Sequence, residues 1–238
     1  LQAYLRGDSV PFAEIDVPAS VAPRVDALHL AGTPTESRID WIARGRKVPV
    51  EVAATGPRAI KMAAVHGERV MFALGADPER LRWGIATARA ARQQAGLDPA
   101  TVKFGAYVNC VCHEEPDTAA ALVKGALSLF ARFSILHGTA AGPIPEPIVE
   151  ALTAFRATYD MRSHSHNDSP QARALTPDLV DYFAIVGNAD RCTQRLEALA
   201  GTGLDKLFIA ANFRVADTPE GKEAHRQFEQ GVLPNFRA

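Results

Sequence analysis

The chain has 238 residues, 26 lysines and arginines against 27 aspartates and glutamates, and a formal net charge of −1. That balance excludes a strongly basic nucleic-acid binder as the starting reading. With 47% hydrophobic and 22% charged residues the chain can bury a real core, which excludes intrinsic disorder. No run of about 18 uncharged apolar residues is present, so no membrane partner is expected. No basic-then-apolar leader precedes the first elements. Cys110, Cys112 and Cys192 form an odd, sparse set. Such a set argues against a disulfide scaffold and for a reducing, cytoplasmic setting. Cys110 and Cys112 are read as pointing to opposite faces of a strand, a poor arrangement for a shared metal, and no metal site is expected.

Residues 1–7 read as the end of a helix closed by Gly7. A chain opening inside a helix is expected to be the remainder of a longer one. Residues 8–24 read as irregular, 25–30 as a short strand or one helical turn, and 35–45 as a short helix. Val48 to Ala54 is short, β-branched and bounded by turn signals, the pattern of a buried strand. Pro57 then opens a helix that stops at Gly67. The grammar repeats with a strand at 69–74, a helix from Pro78 to about Ala95, and a strand at 102–111. Long helices follow at 118–137 and 148–159. Residues 163–174 read as a polar surface loop and 175–183 as a short helix. Residues 184–187 read as a brief turn or extended piece. A helix to Ala200, a last strand at 206–211 and a final helix over 219–232 complete the chain. Four strands with helices between them predict a parallel α/β sheet. A closed (β/α)8 barrel needs eight strands and about 250 residues. The expectation is therefore an α/β fold forming a partial TIM barrel, about its C-terminal half, as one domain over residues 1–238.

Parallel sheets bind ligands at the carboxyl ends of their strands. At 53–57 small residues allow close backbone approach, and a helix N-terminus follows with free N–H groups. Donors there would come from Thr55, Gly56, Arg58 and Ala59, because Pro57 has none. The end at 72–78 carries Gly75, with Asp77 as the expected helix N-cap. One phosphate shared between the two ends is the ligand reading; tight βα turns are the bland one. The third end brings Asn109 and His113 near the same rim. Metal binding by His164 and His166 is disfavoured by their spacing. The charged face from Arg80 to Arg92 reads as solvated.

The stretch Val48-Pro49-Val50-Glu51-Val52-Ala53-Ala54-Thr55-Gly56-Pro57-Arg58-Ala59-Ile60, with Ala63-Ala64 after it, resembles the middle of the bacterial luciferase-like superfamily of flavin- and coenzyme F420-dependent barrels. The similarity is greatest to its methylenetetrahydromethanopterin reductase-like branch. Leu5-Arg6-Gly7 resembles a helix end of that family. The run from Asp178 to Asp190, with Leu196, Gly203-Leu204-Asp205 and the last strand, resembles its C-terminal signature. Asn188-Ala189 stands where the family commonly has Thr-Pro.

The resemblance covers nearly the whole chain but only the C-terminal part of the family's barrel, whose first four strands are not represented. It implies a cofactor phosphate site at Ala53, Ala54, Thr55 and Gly56 on one strand end and Leu74, Gly75 and Ala76 on the next, with Arg58 as a compensating cation. It implies an oxidoreductase that moves a hydride between reduced coenzyme F420 and a small organic substrate. An FMN-dependent monooxygenase and an inactive truncated paralogue are the alternatives. No residue is assigned as proton donor, Asn109 and His113 being weak candidates. The unclosed sheet edges predict a homo-oligomer, a dimer at the simplest.

Overall fold

A computed structural model describes residues 1–18, 20–210 and 214–236. The chain divides into two compact units, Leu1–Val50 and Glu51–Ala238. In the first, helix α1 (Gln2–Leu5) is followed by Gly7 at φ +74°. A side chain is excluded there twice over, because the backbone is left-handed and a Cβ would stand 2.7 Å from Ile42 O. Strands β1 (Val10–Pro11) and β2 (Glu36–Ser37) pair antiparallel. The helix expected over 35–45 is absent: residues 36–37 are strand and the rest is turn, bend or irregular chain. The segment buries Ile42 but leaves Trp41 83% exposed, so it has no apolar stripe to hold a short helix.

The second unit alternates as expected. Its elements are β3 (Glu51–Ala54), α2 (Pro57–His66), β4 (Arg69–Phe72), α3 (Pro78–Gln94) and β5 (Lys103–Cys112), then α4 (Pro116–Ile135), α5 (Glu146–Ala157), α6 (Pro170–Arg173) and α7 (Pro177–Phe183). The chain continues through β6 (Ala184–Gly187), α8 (Ala189–Ala200), β7 (Lys206–Ala210) and α9 (Pro219–Gln227). Proline opens α2, α3 and α4, where its missing N–H costs nothing. Residue 211, expected in the last strand, lies outside the described residues. The final helix passes at Phe228 into a π turn that ends at Val232.

All strand pairs of this unit are parallel. Gly105 and Ala106 pair with β4 and β7 at once, so those strands flank β5 on opposite edges. Asn109 pairs with Ala184 and Ala210 at once, so β6 and β7 are also opposed. Strand β6 therefore continues the line of β4 along one edge of β5. Four residues were too few for their sequence to declare a strand, and the sheet has five members rather than four. Among the described residues the sheet is open, with β3, β6 and β7 at its edges. At its amino end Glu51 binds Arg69 at 2.5 Å and Lys206 at 2.8 Å, tying β3, β4 and β7 together.

Alternation sorts the strands onto two cores. Val70, Phe72, Phe104, Ala106, Val108 and Cys110 face the cluster that includes α2, α3 and α8. Val111 and Ala184 face the cluster built on α4, α5 and α7. Helix α4 is long and apolar enough to cross a membrane. Asp117, Lys124 and Arg132 interrupt it, and its Ala119–Val123–Leu127–Ala131 stripe is buried in the second core. The 163–174 stretch is more than a surface loop: it contains α6, and Ser165, Ser169 and Gln171 are buried. The Gln171 side chain accepts from Asp160 N and donates to the carbonyls of Asp160 and Ser163, replacing water for that backbone.

Candidate active site at the carboxyl ends of the strands

Strands β3 and β4 run in register, Ala54 beside Phe72, and the pairing continues past them: Ala73 N donates to Ala54 O at 3.0 Å. Thr55 Oγ1 donates to Ala73 O at 3.4 Å. The two glycine-marked loops are thus neighbours at the carboxyl end of the sheet. Their exposures differ. Ala53 is exposed, Ala54 is buried, and Thr55 and Gly56 are half-buried, while Leu74, Gly75 and Ala76 are all buried.

The first loop is open. Gly56 is the N-cap of α2 at φ −89°, and nothing lies within 4 Å of the place its Cβ would take. The first-turn amides of Arg58 and Ala59 have no intrahelical acceptor, so they and the positive end of the helix face that space. The Arg58 side chain is exposed beside them.

The second loop is engaged by the chain itself. Ala76 N donates to Tyr182 O at 3.1 Å, and Ala76 O accepts from Arg195 Nη2 at 3.1 Å. Gly75, at φ +91°, lies against Phe183. Asp77 caps α3 as expected, its carboxylate accepting from Arg80 N at 2.7 Å. Leu74 to Ala76 therefore form a fixed wall beside the open loop.

Arg80 contradicts the solvated-face reading. It is fully buried, and its Nη1 donates to Leu74 O at 2.8 Å and Ser134 Oγ at 3.0 Å, its Nη2 to Ala141 O at 3.3 Å. Burial pushes the guanidinium down to about 10. The sequence held a signal: Arg80 shares its helix face with Gly84, Ala88 and Ala91, all buried. Arg92 is likewise occupied, donating to the carbonyls of Ala64 and Asp98.

Asn109 is buried on β5, and its Oδ1 has no hydrogen-bond partner among the described residues. His113 Nδ1 accepts from Glu115 N at 3.0 Å. His164 Nδ1 is bonded to Tyr159 Oη at 2.8 Å, and no metal-binding cluster occurs among the described residues. The expectation that Cys110 and Cys112 point apart is wrong, because residues two apart on a strand share a face. Both join Cys192 in the first core. The Cys192 thiol and burial push Cys112 up, and the Cys110 thiol and burial push Cys192 up to about 12.

A family model described as luciferase-like monooxygenase matches residues 20–206. The chain belongs to this family. Solved structures agree in fold. A coenzyme F420-dependent tetrahydromethanopterin reductase from Methanopyrus kandleri superposes with a TM-score of 0.62 at 16% identity, covering 99% of this chain and 60% of that one. An F420-dependent secondary alcohol dehydrogenase in complex with an F420-acetone adduct gives 0.59 at 15% identity, with coverages of 94% and 64%. An EDTA monooxygenase from Chelativorans sp. BNC1 gives 0.52 at 14% identity, with coverages of 98% and 56%. The chain thus spans less than two thirds of the length of each of these barrel proteins. Members of the family are F420- or flavin-dependent oxidoreductases and monooxygenases.

Proposed function

We propose that this chain forms the phosphate-holding part of the cofactor site of an F420-dependent oxidoreductase acting on a small organic substrate. The observation that carries the reading is the open cradle at Gly56, set on adjacent parallel strand ends at the positive end of α2. In this reading Thr55, Gly56, Arg58 and Ala59 donate backbone N–H groups to the phosphate oxygens, and the exposed Arg58 side chain adds charge. Ala53 and Ala54 keep the strand end narrow enough for close approach. Leu74, Gly75 and Ala76, pinned by Phe183 and Tyr182, hold the neighbouring wall rigid so that the cofactor meets a preorganised surface. The bound deazaflavin supplies the hydride chemistry, while the protein contributes position and electrostatics.

The family description and the likeness to an EDTA monooxygenase favour a second reading, in which the same cradle holds FMN and the reaction consumes oxygen. Titration of the intact chain with each cofactor separates the two. Quenching of F420 fluorescence without FMN uptake supports hydride transfer, saturable FMN binding supports the monooxygenase, and binding of neither contradicts both.

A further inference from the structure

The face of the sheet turned away from α2, α3 and α8 carries a line of touching rings. Tyr107 of β5 meets Phe208 of β7 edge-on, with 5.3 Å between centroids, and Phe130 of α4 at 6.1 Å. Phe130 in turn meets Phe133 at 6.4 Å. The two ends of the line are open to solvent, Phe208 being 49% and Phe133 41% exposed. Single exposed apolar residues are ordinary on a protein surface, but a contiguous patch of rings marks a binding surface. We propose that this aromatic ledge takes the flat, fused ring of the cofactor whose phosphate the Gly56 cradle holds. The inference rests on that reading of the cradle and extends it from the phosphate to the ring.

The register of the sheet places the ledge within reach. Ala54, Phe72 and Ala106 stand in one row across β3, β4 and β5, and all three face the first core. Alternation therefore turns Ala53 on β3 and Tyr107 on β5 to the opposite face, where Tyr107 touches Phe208. Ala53 is exposed and leads directly into the cradle at Thr55 and Gly56. Two strand spacings, about 10 Å, separate β3 from β5. The ribityl chain that joins phosphate to ring in both F420 and FMN spans a gap of that size, and Ala53 presents only a methyl group along the path. A fused aromatic ring laid on the ledge gains dispersion and quadrupole contacts and withdraws apolar surface from water. The four rings carry no formal charge, so the ledge recognises the ring, while the cradle recognises the phosphate.

Fluorescence titration of the intact chain with F420 and with 5-deazariboflavin, which has the ring and the ribityl chain but no phosphate, tests the assignment. Replacing both exposed rings, Phe133→Ala with Phe208→Ala, is expected to weaken both ligands about tenfold, with the circular dichroism spectrum unchanged. Phe133→Tyr with Phe208→Tyr keeps the rings and is expected to retain native affinity for both. Gly56→Asp is expected to weaken F420 about tenfold or more and to leave 5-deazariboflavin unchanged. Failure of 5-deazariboflavin to bind the native chain, undiminished affinity in the folded alanine variant, or a loss that the tyrosines do not rescue would each overturn the ledge. Unchanged ligand affinity together with lost self-association in the alanine variant would assign the four rings to contact between copies of the chain instead. F420 affinity insensitive to Gly56→Asp, with the alanine effect intact, would count against the cradle and still support the ledge.

Discussion

Gly75 rests against Phe183: a Cβ on residue 75 would stand 2.8 Å from the ring Cδ1 and 3.2 Å from Cα of that residue. This contact makes the second glycine-marked loop a wall. The φ of +91° adds backbone strain to the steric conflict for any larger residue. Gly75→Val is expected to destabilise the fold by about 3 kcal/mol. Gly56→Ala, at an open position with ordinary φ, should cost less than about 1 kcal/mol. Urea midpoints of the two variants check the difference; equal midpoints would contradict the contact.

Arg80 joins three parts of the chain through Leu74 O, Ser134 Oγ and Ala141 O. Arg80→Met keeps much of the volume but strips buried carbonyls of their donors. A loss of about 3 kcal/mol is expected. Arg80→Lys should recover only part of it, since one ammonium cannot reproduce a planar fork. Thermal unfolding of both variants measures this, and native-like stability of the Met variant would contradict the clamp.

The strands at 51–54, 69–72, 103–112 and 206–210 were legible within a few residues, because β-branched runs between glycine and proline signals have few other uses. The Pro57 and Pro78 helix starts and the Asp77 cap were legible for the same local reason. What escaped was set by tertiary contact. Tyr182 and Phe183 lie more than 100 residues from Gly75 in sequence, so nothing near Gly75 announced that its loop is covered. Arg80 was hidden by its charge, although its helical neighbours at i+4 and i+8 are small and buried. Gln171 was hidden by its polar surroundings, because its role is to satisfy them from within. The sequence marked two strand ends that prove to be neighbours, and their differing exposure could be seen only in three dimensions.

Tyr182 donates its hydroxyl to Pro143 O at 3.1 Å, and burial pushes it up to about 12. The native state therefore holds this proton longer than the unfolded chain does. The resulting stabilisation is complete below pH 10 and is lost as the pH rises from 10 through 12. Tyr182→Phe should flatten that part of the alkaline stability curve. Urea unfolding at a series of pH values from 8 to about 12 reads it; identical slopes for the two proteins would contradict the assignment.

Cys112 and Cys192 are buried, Cys112 held protonated by Cys192 and by burial, and Cys192 by Cys110 and by burial. Native protein at pH 8 should react with an aromatic disulfide reagent at least about a hundredfold more slowly than the same protein in guanidinium, because the thiolate is the reactive species. Rapid modification of the folded chain would show that these thiols are accessible.

The most direct measurement of the central claim is the affinity of Gly56→Asp for F420 and for FMN, set beside that of the native chain. Gly56 has room for a side chain and occupies an N-cap, where aspartate is favoured, so the fold should be kept or slightly strengthened. A carboxylate in the cradle should repel the cofactor phosphate and weaken the bound cofactor at least tenfold. Undiminished affinity in a folded variant would show that the anion is held elsewhere.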